Sequence, residues 1–313
     1  MPKNPLFFFV LILLLMLEAC SSPDFILLET KKLTDYPSGS GMEFFKGKIF
    51  LVGDDARYCW VGDTSLKQTD SIRLYEGTER RIAKDLKEDL EAIALVYDGK
   101  TPKLFLAGSG SLPPFRNRGW LIDPATGEKE PLLLDSFYNR LQQQLPQINI
   151  EGATAITGAL VLANRGNKSQ PKNQLIFTTP DFWKRQDSAQ IDVVKIGTNK
   201  DTALFEGISG LAYSFRSDRL FITVTTEDTY SSHGDGAIGR SFLWIVNDIS
   251  SRKRITAINP SRVIDLQKTD AAFAGQKIES ACILSEDATS VELLLVADND
   301  NGESTLFRVR LKN

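Results

Sequence analysis

The chain has 313 residues, of which 42% are hydrophobic and 25% are charged, and its formal net charge at pH 7 is −3. This composition is that of an ordinary globular protein. Acidic and basic residues are interspersed, and no Lys/Arg block exists that could track a phosphate backbone, so nucleic acid is not an expected partner.

The N-terminal segment has the pattern of an export signal. Lys3 precedes an unbroken apolar run of 12 residues, 6–17. This run is shorter than the roughly 20 residues that span a bilayer, and it is typical of a secretory signal. The following Leu-Glu-Ala-Cys, ending at Cys20, resembles the bacterial lipoprotein signal, although Glu18 departs from the small or apolar residue usual at that place. An ordinary cleavable signal is the alternative.

These features predict a signal peptide at 1–19 and a lipidated tether at 20–24, with Cys20 as the acylated residue. The protein would then be a membrane-anchored lipoprotein of the bacterial cell envelope, in contact with the membrane through its lipid, and we expect a monomer. The two other cysteines, Cys59 and Cys282, lie in predicted strands among apolar neighbours. We expect both to be buried free thiols.

The rest of the chain is predicted to consist almost wholly of strands. Short apolar runs rich in β-branched and aromatic residues are separated by Gly, Asn, Asp and Pro, beginning with the run 25–30. The exception is a helix predicted over 135–145, which Pro146 ends.

A short motif recurs along these strands. It consists of an apolar residue, then Glu or Ser, then a small residue and an apolar run. Its polar members, spaced by 51, 60, 58 and 70 residues, are Ser40, Glu91, Glu151, Ser209 and Glu279. A period of this size indicates stacked or radial repeats.

Each repeat contains the same succession of strands. In the third repeat they are predicted at 151–156, 159–163, 174–178 and 192–196, and Thr157-Gly158 forms the first turn. The fifth repeat lacks an outer strand. The strand at 25–30 can supply it, because a propeller closes its ring by letting one terminus complete the blade of the other.

The sequence therefore predicts an all-β propeller over residues 25–313, with five four-stranded blades and the N-terminal strand in the last blade. Six blades are the alternative, if the stretch 249–276 contains further strands. A solenoid and a sandwich fit the strand order less well.

The hairpin registers place the repeated Glu and Ser at one end of the channel. Residues equidistant from an antiparallel turn face one another, which puts Glu151 beside Asn164. The predicted ligand-binding residues around this ring, including those on the loops that open there, are Asp54, Arg116, Arg118, Asn164, Arg165 and Asp298.

Two interpretations of the ring remain open. Glu91, Glu151 and Glu279 could hold a divalent cation, with Ca²⁺ as the candidate, because hard cations prefer carboxylate oxygens. The arginines would then receive an anionic group through their planar fork. Alternatively, each Glu pairs with an arginine or with backbone N–H groups and braces adjacent blades.

The motif at Glu91, Glu151 and Glu279 resembles that of the phytase-like (esterase-like) propeller proteins of bacteria. The segments 149–153 and 163–167 are also similar to an uncharacterised group of propeller lipoproteins. The resemblance implies the fold more strongly than a function, because propellers host many chemistries.

Three functions follow as hypotheses. A non-catalytic protein that binds a small anionic or metal-linked ligand is favoured, because no nucleophile–base pair is recognisable. A metal-dependent hydrolase of phosphate or carboxylic esters is the alternative, and a scaffold with an inert channel is the third.

Overall fold

The computed structural model describes residues 24–197, 205–231, 236–252 and 255–313. Cys20 and the predicted signal segment lie outside these ranges. Inside them, no helix combines the length and the apolar character needed to cross a bilayer.

Five sheets surround a central channel as the blades of a propeller, as predicted. The first strand, β1 (Phe25–Leu33), belongs to the last blade. Blade 1 contains, from the channel outward, β2 (Gly39–Phe45), β3 (Lys48–Gly53), β4 (Tyr58–Asp63) and β5 (Gln68–Arg73). Blade 2 contains β6 (Leu90–Asp98), β7 (Thr101–Gly108), β8 (Arg118–Ile122) and β9 (Lys129–Leu133). Blade 3 contains β10 (Ile150–Ile156), β11 (Ala159–Asn164), β12 (Asn173–Thr178) and β13 (Ile191–Ile196).

The last two blades and the helices complete the fold. Blade 4 begins with β14 (Phe205–Ser214), β15 (Arg219–Glu227) and β16 (Ile238–Asn247). The short β17 (Ala257–Ile258) adds a parallel strand to the edge of blade 3, and β18 (Arg262–Asp265) is the outer strand of blade 4. Blade 5 contains β19 (Ile278–Glu286), β20 (Ser290–Asp298) and β21 (Ser304–Lys312), with β1 outermost. The helices are α1 (Asp135–Gln142) and α2 (Leu266–Thr269), and 3₁₀ turns lie at Phe115–Asn117, Phe182–Lys184, Ile249–Ser251 and Ala271–Phe273.

The ring closes through the N-terminal strand, which confirms the predicted closure. β1 pairs antiparallel with β21, from Phe25 opposite Leu311 to Leu33 opposite Ser304. The six-bladed alternative is wrong, because the described part of 249–276 supplies β17 and β18 to existing sheets.

Apolar clusters between neighbouring blades form the core. Val52 of blade 1 and Leu106 of blade 2, for example, share one cluster. The predicted helix α1 packs Phe137 and Leu141 into the cluster between blades 2 and 3. Cys59 and Cys282 are buried free thiols, as predicted.

Every inner strand contains a β-bulge, and the repeated polar residue occupies it. The pairing of the first two strands in each blade skips one residue on the inner strand, where the ladder register shifts. The skipped residues are Ser40, Glu91, Glu151, Ser209 and Glu279. A bulge leaves one residue outside the ladder and re-aims its side chain, which explains why a polar residue recurs there.

The small residue after each bulge lets neighbouring blades approach. A Cβ atom built on Gly152 would lie 2.9 Å from the Cα atom of Gly210. A Cβ atom on Gly210 would lie 2.6 Å from the carbonyl oxygen of Glu279. The bulges therefore meet backbone against backbone around the channel.

We expect Gly210→Ala to lower the free energy of unfolding by about 1–3 kcal/mol, because the new methyl group would overlap rigid backbone of blade 5. Urea unfolding followed by tryptophan fluorescence measures this change. An unfolding midpoint equal to that of the wild type would contradict the close approach of the two blades.

Candidate functional site

One end of the channel holds a cavity of about 90 Å³ with a strongly charged wall, to which all five blades contribute. The carboxylates in the described wall are Asp54, Asp89, Glu91, Glu151, Glu227, Glu279, Asp298 and Asp300. The basic side chains are Lys84, Lys87, Arg116, Arg165 and Lys277. With eight acidic and five basic groups, the described wall has a formal charge of −3.

The bulges place four of the five repeated polar residues in the wall of this cavity. Glu91, Glu151 and Glu279 line it, together with Ser40. Ser209 does not; its hydroxyl donates instead to the carbonyl oxygen of Ile278 at 2.8 Å. The three glutamates thus share one small space, while this serine connects blades 4 and 5.

Arg165 and Lys277 neutralise one side of the cavity. The Arg165 guanidinium lies 2.7 Å from the Glu227 carboxylate, 3.4 Å from that of Glu151 and 4.0 Å from that of Glu279. The Lys277 ammonium lies 3.0 Å from the Glu279 carboxylate. These pairs match the bracing interpretation for Glu151 and Glu279, because buried charges need partners.

Lys87 and Arg116 form a second charged cluster on the opposite wall. The Lys87 ammonium contacts the Asp54 carboxylate and lies 2.8 Å from that of Asp89. Arg116 pairs with Asp89 at 2.5 Å, and the Ser109 hydroxyl donates to the same carboxylate at 2.5 Å. Asp89 is therefore held by three donors.

Glu91 differs from the other two glutamates. Among the residues that the structure describes, its carboxylate has neither a hydrogen bond nor an ion pair. Carboxylate oxygens of Asp54, Asp89 and Glu91 all lie within 4.8 Å of one another. In the described wall of the cavity, the buried oxygens Oδ1 of Asp54 and Oε2 of Glu279 also have no hydrogen-bond partner.

Burial and mutual repulsion raise the pKa values of the carboxyl groups here. Burial raises the pKa of Glu151 to about 7, against the opposing effect of Arg165. Burial, with the charges of Asp300 and Glu279, raises the pKa of Asp298 to about 7. The pKa of Glu91 lies well above its ordinary value because of burial and then the Glu151 charge. The cavity therefore retains protons near neutral pH.

The structure brings four of the six predicted ligand-binding residues to the cavity. Asp54, Arg116, Arg165 and Asp298 line it, whereas Asn164 and Arg118 do not.

The two residues outside the cavity wall have structural contacts. Asn164 is in register with Ile150 because of the bulge; its side chain accepts the Asn149 N–H at 2.7 Å and donates to Gln174 at 2.9 Å. The Arg118 guanidinium lies over the Phe115 ring.

Asp89, Lys87 and Lys277 are cavity residues that the sequence pattern did not single out. Asp89 and Lys277 stand two positions before the repeated residues Glu91 and Glu279. Both lie just before the first residue of β6 or β19, and the bulge at the repeated Glu breaks the strand alternation, so periodicity does not identify them. Lys87 lies in the loop before β6, where no spacing identifies it, and Glu227 is the last residue of β15.

The raised pKa values predict that the metal-free protein loses stability as pH rises. A carboxyl group whose pKa is raised by folding stabilises the folded state fully below its ordinary value of 4.5, and this contribution is lost as pH rises through about 7. We expect the free energy of unfolding in urea with chelator to fall between about pH 5 and 8. Asp298→Asn should reduce the fall, because the pKa of Asp298 is about 7, whereas the exposed Glu128→Gln should not. Equal pH profiles for all three proteins would contradict the account.

Solved structures similar to the chain cover most of its length. The chain is similar to the glutaminyl cyclase of Myxococcus xanthus, with a TM-score of 0.54 and 12% identity, over 92% of this chain and 97% of that chain. For the α-L-arabinanase of Penicillium chrysogenum the TM-score is 0.47 and the identity 11%, over 90% of this chain and 84% of that chain. For a protein of unknown function from Dyadobacter fermentans the TM-score is 0.43 and the identity 10%, over 92% of this chain and 100% of that chain.

At these identities the likeness concerns the fold, and the resemblance to phytase-like propellers stays a prediction. Comparison with curated proteins gave no match. The model of a family of unknown function, DUF6929, matches residues 35–311. The chain therefore belongs to the DUF6929 family.

Proposed function

We propose that the charged end of the channel binds a divalent cation between Asp54, Asp89 and Glu91, with Ca²⁺ as the first candidate. The observation that carries this proposal is the Glu91 carboxylate, which lines an acidic cavity and makes no hydrogen bond or ion pair with the described residues. Hard divalent cations bind several oxygen ligands. Water can add further ligands, and Asp54, whose Oδ1 atom has no hydrogen-bond partner, can bind through both of its oxygens.

The proposed ligands keep Glu91 from the set predicted from the sequence and replace Glu151 and Glu279 by two aspartates. Glu151 and Glu279 already have Arg165 or Lys277 within ion-pair distance. Arg165 lies within ion-pair distance of three carboxylates, so a cation could take its place only by breaking all three contacts. Glu91 therefore remains the central ligand, while Glu151 and Glu279 contribute negative charge that attracts the cation.

Lys87 acts as a counter-ion to two of the proposed ligands. Its ammonium contacts both Asp54 and Asp89. A divalent cation carries twice the charge of an ammonium group, so it can compete with Lys87 for the two aspartates. The long lysine side chain can withdraw by rotating about its bonds.

The geometry supports a cation better than the anionic ligand predicted from the arginines. Arg116 is paired with Asp89, and Arg165 is surrounded by three carboxylates. An anion would have to compete with these carboxylates inside a wall of net negative charge. We therefore propose that an anionic group, if present, approaches only with the cation.

Calcium titration tests the cation site. We expect Ca²⁺ to raise the unfolding temperature of chelator-treated protein and to bind in calorimetry, with binding weakened about 100-fold or more by Glu91→Gln, a loss of at least ~2.7 kcal/mol. Glu292→Gln, which alters a carboxylate on β20 that lies outside the charged cavity and pairs with Arg308 and Arg310, is the matched control. Lys87→Met should tighten binding, because it removes the competing ammonium.

Mg²⁺, Mn²⁺ and Zn²⁺ are titrated in parallel. If no divalent cation binds, or if Glu91→Gln binds as tightly as the control, the proposal is wrong. Weaker binding by Lys87→Met would show that the lysine supports the site rather than competes with the ion.

Metal-assisted hydrolysis of phosphate or carboxylic esters is the second candidate function. The observation that favours it is Glu151, whose pKa of about 7 and place in the same cavity suit a general base. A cation bound nearby would lower the pKa of a coordinated water.

We expect a hydrolase to release nitrophenol from p-nitrophenyl phosphate or acetate in a cation-dependent manner. Glu151→Gln should then lower kcat by about 100-fold or more while leaving calcium binding largely intact. Turnover that neither chelator nor this variant reduces would eliminate hydrolysis at this site and would leave the binding proposal standing.

A further inference from the structure

The channel holds a second cavity at its opposite end, where the inner strands turn into the next strand of each blade. Its volume is about 690 Å³, and Thr157 and Gly158 of the turn between β10 and β11 lie on its rim. Apolar side chains from the inner strands make up most of its wall, among them Met42, Leu95 and Leu211. This volume and lining are those of a small-molecule site.

Two exposed aromatic residues stand at the mouth of this cavity. Tyr97 is 56% exposed and Phe215 is 69% exposed, and both line the cavity. The Phe215 ring packs edge-on against Tyr213 with its centroid 4.7 Å away. Large apolar side chains clustered at an opening mark an interaction site more often than isolated ones do.

A single carboxylate interrupts the apolar wall. Within the described ranges, Glu43 is the only charged residue that lines the cavity. Its two oxygens accept the N–H groups of Phe44 at 3.0 Å and Leu95 at 2.8 Å. Each carboxylate oxygen can accept a further hydrogen bond, so Glu43 is a fixed acceptor for a donor group of a ligand.

The described chain begins at this same end of the propeller. The Lys312 N–H donates to the Asp24 carbonyl at 2.9 Å, and the Asn313 N–H donates to Thr289 in the turn between β19 and β20 at 3.0 Å. Residues 20–24 can extend at most about 15 Å. The lipid predicted on Cys20 would therefore keep the apolar mouth close to a membrane surface, from which apolar molecules can partition.

We propose that this cavity binds one small, mainly apolar molecule that carries a hydrogen-bond donor, an alkyl amine being the simplest example. The donor contacts Glu43, and the apolar part lies against the inner strands. A fatty acid is disfavoured, because its carboxylate would face that of Glu43 inside an apolar wall. The site is independent of the charged cavity at the other end of the channel.

Calorimetric titration of the full chain with decylamine and decanoate, both below their micellar concentrations, tests the proposal. We expect one decylamine per chain, bound at least about tenfold more tightly than decanoate. Glu43→Gln should remove this preference. Ala155→Trp, which places a large side chain in the cavity, should weaken decylamine binding by about tenfold or more.

Three further variants make the result decisive. Val263→Trp introduces the same side chain at an exposed position outside the cavity and should bind like the wild type. Phe215→Lys changes an exposed residue, so it should fold normally even if Ala155→Trp does not, and its charge should weaken amine binding. Glu91→Gln should leave decylamine binding unchanged.

The proposal would be overturned by any of three results. These are an absence of saturable decylamine binding, decanoate binding as tight as that of decylamine, or undiminished decylamine binding in both Ala155→Trp and Phe215→Lys. Loss of decylamine binding in Glu91→Gln would place the amine in the charged cavity instead.

Discussion

The β-bulge in each inner strand is the constraint on which the charged cavity depends. A bulge places one residue outside the ladder and turns its side chain away from the sheet. Because the blades are arranged around an axis, four of the five bulges bring their side chains, Ser40, Glu91, Glu151 and Glu279, to the wall of one cavity. The small residue that follows each bulge lets the neighbouring inner strand come close enough for these side chains to share a small space, as at Gly152 and Gly210.

Concentrating carboxylates in so small a space is electrostatically unfavourable, and the structure offsets this in two ways. Arg165 and Lys277 neutralise one side, and Lys87 and Arg116 neutralise the other. Protons retained on carboxyl groups with raised pKa values offset part of the rest. The Glu91 carboxylate makes no ion pair in the described part of the chain, and the described wall has a formal charge of −3, which is why we propose a cation there.

The fold was predictable from the sequence because its signals are local. The repeated Glu or Ser, the turn residues and the spare strand at the N-terminus together indicated five blades and their closure. The position of Asp54, Arg165 and Asp298 near the ring followed from hairpin register. Register counting failed at Asn164, because the bulge shifts the pairing by one residue.

The ion pairs of the cavity could not be predicted from the sequence. The pairing of Glu227 with Arg165 joins blades 3 and 4, and the contact of Lys87 with Asp54 joins a loop to blade 1. Such contacts depend on the packing of whole blades, so no sequence pattern specified them.

The most direct test of the central claim is an anomalous difference map of crystals of the protein soaked in Mn²⁺, a cation that prefers the same oxygen ligands as Ca²⁺. The account predicts one strong peak in the charged cavity, bonded to the Glu91 carboxylate and to at least one of Asp54 and Asp89, with the Lys87 ammonium moved away. An empty cavity in crystals grown at pH 8 would contradict it, and so would a peak that avoids Glu91.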